Sequence, residues 1–75
     1  MTNIVFFATD ISSSTTYVIE TDDSVSIARV FEIIKLKTNL KDFKLKTGIK
    51  NLLVHDPTSL IELGIRAGST IFIMD

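Results

Sequence analysis

Ile27, Val30, Phe31 and Ile34 recur at i, i+3, i+4 and i+7, whereas the other apolar residues come in short β-prone runs. The spacing predicts one helix with one apolar face. A helix of this kind must lay that face on another element, and a single sheet likewise needs a cover for one side. In a chain of 75 residues the arrangement that meets both needs is one helix across one sheet. The length sets one domain, residues 1–75, which buries only about 60% of its unfolded surface. A hydrophobic content of 45%, with five Phe, matches that demand.

The helix is framed by its ends. Asp22, Asp23, Ser24 and Ser26 are candidate N-caps, and Lys35 and Lys37 fall where the macrodipole favours cations. Before it, "NIVFFAT" (3–9) and "TTYVIET" (15–21) read as two strands joined by a polar turn. After it, "DFKLKTG" places Phe43 and Leu45 on one side of a strand and Lys44 and Lys46 on the other. "KNLLV" is a short fourth strand stopped by "HDPTS", and "STIFIMD" is the last. Leu60, Leu63 and Ile65 make a compact apolar turn between them, and Gly64 and Gly68 supply positive φ. The order strand-strand-helix-strand-strand-strand is α+β, a β-grasp with a mixed sheet of four to five strands and one packed helix.

Eight Lys plus Arg against nine Asp plus Glu argue against a general nucleic-acid binder. Without cysteine there is neither a disulfide framework nor a thiolate metal site. No apolar run approaches the roughly 20 residues of a membrane span, and the N-terminus has no positive n-region. The expectation is a cytoplasmic domain with no membrane insertion.

The chain resembles the ubiquitin superfamily over essentially its whole length, most specifically in "SLIELGIRAGSTIFIMD" (59–75). Within it, Leu52-Leu53-Val54, Leu60-Ile61-Glu62-Leu63-Gly64-Ile65 and Gly68-Ser69-Thr70-Ile71-Phe72-Ile73 are similar to the YukD/EsaB proteins of Gram-positive type VII secretion systems. Ser69-Thr70 departs from that group's pattern and is equally ubiquitin-like. The narrower resemblance implies a regulatory or accessory component of a secretion machine, with secretion-machinery proteins as partners. A ubiquitin-like docking domain excised from a larger eukaryotic protein is the alternative. Conjugating relatives end in a thin diglycine tail, whereas the last residues here are Met74-Asp75. With Asp75 as the natural end, covalent attachment is not expected; a continuation supplying Gly-Gly would restore it.

No catalytic constellation is expected. His55 and Asp56 are sequence neighbours without a nucleophile nearby, and they read as turn residues. One His and no Cys leave only an all-oxygen metal site, and neither metal nor cofactor is expected. Ser12, Ser13 and Ser14 have no partnering base. Lys35, Lys37, Lys41, Lys44, Lys46 and Lys50 share one window with Asp42 as its one acid. Phe43 is the only aromatic there and belongs to the core, so base stacking has no platform and a solvated face is the better reading.

The sharper feature is poor alternation. With Val5, Phe7, Tyr17, Ile19, Leu45, Ile71 and Ile73 turned to the helix, period two sends Ile4, Phe6, Val18, Phe72 and Met74 to the other face. These five are the expected partner-binding patch, rimmed by Lys44 and Lys46. Ubiquitin uses the corresponding face for most of its partners; Phe72 and Met74 match two of its outward positions, and Lys44 replaces its central isoleucine. The expected cover is a protein partner or a second copy of the domain. Val25, Ile33 and Leu36 lie off the helix's main stripe, to be covered by residues 37–42 or left as a second, smaller surface.

Overall fold

The computed structural model describes residues 2–48 and 50–74. The expectation about Asp75 lies outside the described residues. Five strands, β1 (Asn3–Asp10), β2 (Thr15–Asp22), β3 (Lys44–Thr47), β4 (Lys50–Leu52) and β5 (Thr70–Met74), form one sheet in the order β2-β1-β5-β3-β4. β1 and β5 run parallel and the other neighbours antiparallel, so the sheet is mixed.

One helix, α1 (Ile27–Thr38), completes the α+β fold. Of the four candidate caps Ser26 serves: its Oγ accepts the Arg29 N–H at 3.2 Å. Asp22 instead closes a turn, accepting from both the amide and the hydroxyl of Ser24. The helix ends at Asn39, which takes the left-handed conformation and donates its N–H to the Lys35 carbonyl. Ile27, Val30, Phe31 and Ile34 are all buried, as the spacing requires. Val25, Ile33 and Leu40 pack against the same core, which leaves Leu36 exposed.

"HDPTS" does more than turn the chain. The Thr58 and Asp56 carbonyls accept the Ile27 and Ala28 N–H groups, which have no partner within the helix, and Ser26 and Ser59 form a bridge. The segment is therefore docked on the start of α1. Leu60 and Ile65 close the core below it, with the positive φ of Gly64 between them.

One expectation is corrected. Val5 and Phe7 do not face the helix; Ile4, Phe6 and Ala8 do, and Phe6 is 0% exposed. The hairpin decides this. Ile11–Ser14 is a four-residue connection, and the register pairs Phe6 with Ile19 and Phe7 with Val18. Since Ile19 is buried, its partner Phe6 must be inside as well, and a one-residue shift of phase exchanges the whole strand's faces. "KNLLV" is also shorter as a strand than expected, with Leu53 and Val54 leaving the ladder after Leu52.

Candidate functional site: the open face of the sheet

α1 covers one face of the sheet, and the side chains of the opposite phase stand on the other. On β1 these are Val5, Phe7 and Thr9; on β2, Thr16, Val18 and Glu20; on β5, Thr70, Phe72 and Met74; on β3, Lys44 and Lys46. Val18, Phe72, Met74, Lys44 and Lys46 thus stand where the sequence pattern placed them. Ile4 and Phe6 do not, because they are core residues, and Val5 and Phe7 take their places. No residue of β1 alone signals this, because Ile4–Phe6–Ala8–Asp10 and Val5–Phe7–Thr9 both run from apolar to polar; the pairing of Phe6 with the buried Ile19 decides it.

The register fixes who neighbours whom. Phe7 lies opposite Val18 and beside Thr70; Phe72 lies between Thr9 and Lys46; Met74 lies opposite Lys44. Val5 is 39% and Val18 50% exposed, while Phe7, Phe72, Met74 and Lys46 are half-buried by their neighbours. The apolar surface therefore has two lobes. Val5, Phe7 and Val18 form one, Phe72 and Met74 the other, and Thr9 and Thr70 stand at their junction. Lysines border the second lobe, and Glu20, held by the Asn3 side-chain amide at 2.7 Å, borders the first. Ile11, exposed just past β1, donates its N–H to the Ile73 carbonyl and extends the Met74 end.

The other candidates are occupied locally. His55 is exposed, and the Asp56 carboxylate accepts the Thr58 N–H at 2.8 Å instead of pairing with it. Hydrogen bonds from the Thr58 side chain and backbone hold the Asp56 carboxyl below its ordinary pKa. Ser12 donates its hydroxyl and its amide to Asp10, and these bonds lower that carboxyl's pKa against the opposing effect of burial. Ser13 donates to Thr15. Among the described residues no three His, Cys, Asp or Glu converge as metal ligands, and no helix is long and apolar enough to cross a membrane.

The strand order, the mixed sheet and the single covering helix define a ubiquitin-like β-grasp fold. Two solved structures agree. The solution structure of the UBL domain of yeast Ddi1 matches with a TM-score of 0.88 at 15% identity, covering 96% of this chain and 87% of that one. The solution structure of a ubiquitin-like domain of an Arabidopsis thaliana protein matches with a TM-score of 0.82 at 20% identity, covering 97% of this chain and 77% of that one. At these identities the likeness establishes the fold. No family model matches the sequence, and no curated protein is significantly similar to it.

Proposed function

We propose that this domain is a noncovalent protein-interaction module that docks partners on the open face of its sheet. The observation that carries the proposal is the two-lobed apolar surface of Val5, Phe7, Val18, Phe72 and Met74 on a face that no element of the described chain covers. Apolar area left in water forgoes roughly 25 cal/mol per Å², so a partner that covers both lobes gains from each. Lys44 and Lys46 on one side and Glu20 on the other give the face a charge polarity that would orient the partner.

Two settings fit such a module. The sequence resemblance of residues 52–54 and 60–73 to YukD/EsaB proteins favours a cytoplasmic accessory role in type VII secretion, with a secretion-machinery protein as the partner. The yeast and plant ubiquitin-like domains of the same fold favour the alternative, a docking domain of a larger eukaryotic protein. A second copy of the domain is the remaining cover for the face.

The test uses immobilised domain and its Phe72→Ser/Met74→Ser variant, each offered purified type VII secretion components and, separately, ubiquitin receptors. Binding of a component in the first set by the parent and not by the variant supports the secretion role; the same result in the second supports receptor docking. Equal binding by parent and variant would remove the open face from the function.

A further inference from the structure

A second surface lies at the β4 edge of the sheet, where α1 faces the segment leaving β4. Three hollows of about 350, 200 and 470 Å³ open there. Val54 lines all three, and Phe31, Leu53 and His55 each line two, so the hollows form one groove. Its floor includes Phe31 and Phe43, stacked with ring centroids 5.6 Å apart. Its wall is Leu53 and Val54, which are 69% and 47% exposed although they follow directly on the buried Leu52.

The charges around the groove select the occupant. Lys44 lines the first hollow and Lys35 the second. The two acids that also line it are engaged: Glu32 pairs with Arg29 at 2.9 Å, and Asp56 accepts the Thr58 amide. Among the described residues neither lysine forms an ion pair. Six of the eight cationic residues fall between positions 35 and 50 with Asp42 as the one acid, although the chain as a whole has a net charge of −1. An anion with no apolar part would be drawn to these lysines and would leave the aromatic floor empty. A purely apolar segment would fill the groove and leave both ammonium groups without a partner.

We propose that this groove binds an extended acidic segment of a partner protein, its apolar side chains on Phe43, Leu53 and Val54 and its carboxylates on Lys35 and Lys44. Such a segment meets both halves of the surface, and its acids steer it to the basic edge. The inference stands apart from the open-face reading in its apolar anchors, which lie before β3 and beyond β4 and not on the exposed face of β1, β2 and β5; Lys44 is common to both surfaces.

The experiment titrates the isotopically labelled domain with a capped peptide of about ten residues, enough when extended to span the molecule's 32 Å long axis. The peptide carries Leu and Ile flanked by Glu; a control replaces every Glu by Lys. Expected are amide shifts at Lys35, Leu53, Val54 and His55 with the acidic peptide and none with the control. Lys35→Glu should weaken binding by about tenfold. Leu53→Ser/Val54→Ser should abolish binding, while Phe72→Ser/Met74→Ser should retain it. Equal binding of the two peptides, shifts confined to the open face, or no shifts at millimolar peptide would overturn the proposal. Shifts with phosphatidylserine vesicles but not with the peptide would overturn it too, in favour of a membrane surface.

Discussion

The two faces of the sheet are built from nearly the same side chains. Ile4, Phe6, Ala8, Ile19, Leu45, Ile71 and Ile73 stand on one, and Val5, Phe7, Val18, Phe72 and Met74 on the other. The first set is buried under α1 and the second is half-buried or exposed. Hydrophobicity alone therefore does not say what a residue is for. A covered apolar side chain holds the fold, and an uncovered one is available to a partner.

That comparison breaks first at the core. Ile34→Ala removes a fully buried side chain from the helix face and should cost about 2–4 kcal/mol, read as a lower urea midpoint. An unchanged midpoint would mean that α1 does not seal this face. Loss of the helix cap comes next. Ser26→Ala should cost about 1 kcal/mol, because the Arg29 amide loses its side-chain acceptor at the end of α1 that also holds residues 56–58. A Ser26→Asp variant should restore most of it.

The double change Phe72→Ser/Met74→Ser sharpens the comparison from the other side. It should cost less than the core truncation, since neither side chain points under the helix, and the loss should appear in partner binding instead. Unfolding of this variant in a circular dichroism melt would show that the outer face is structural.

The smallest effect is one of pH. The carboxyls of Asp10, Asp22 and Asp56 have folded pKa values below the ordinary 3.8, chiefly through side-chain hydrogen bonds from Ser12, Ser24 and Thr58 respectively. A depressed folded pKa contributes stability that is fully present above the unfolded value and is lost as pH falls through the folded one. Urea midpoints should therefore hold steady above pH 3.8 with respect to these groups and decline below it. Midpoints that rise on acidification would contradict the assigned bonds.

The sequence shows the helix plainly, because its four-residue apolar spacing admits one phase and Ser26 and the terminal lysines agree with it. β3 is legible because Leu45 stands between two lysines. β5 is apolar in both phases, Ile71–Ile73 and Phe72–Met74, and its pairing of Ile73 with Leu45 sets its inner face. β1 is not legible from its own residues. Its two phases, Ile4–Phe6–Ala8–Asp10 and Val5–Phe7–Thr9, are both apolar and both end in a polar residue, so local hydrophobicity hardly separates them. The four-residue hairpin breaks the tie through long-range pairing. The groove beside α1 was out of reach for another reason. It depends on where Leu53 and Val54 leave the ladder, and their apolar character suggested a longer strand.

Phe6 and Phe7 are chemically identical neighbours on opposite faces, so comparing them tests the account most directly. The measurement is the urea midpoint of Phe6→Ser beside that of Phe7→Ser under one set of conditions. The Phe6 change leaves a cavity and a buried hydroxyl and should cost about 3–5 kcal/mol, enough to unfold much of a domain this small. The Phe7 change should leave a folded domain with a midpoint much closer to the parent's. Equal losses, or the larger loss from Phe7, would contradict the assignment of the two faces and with it the docking surface built on it.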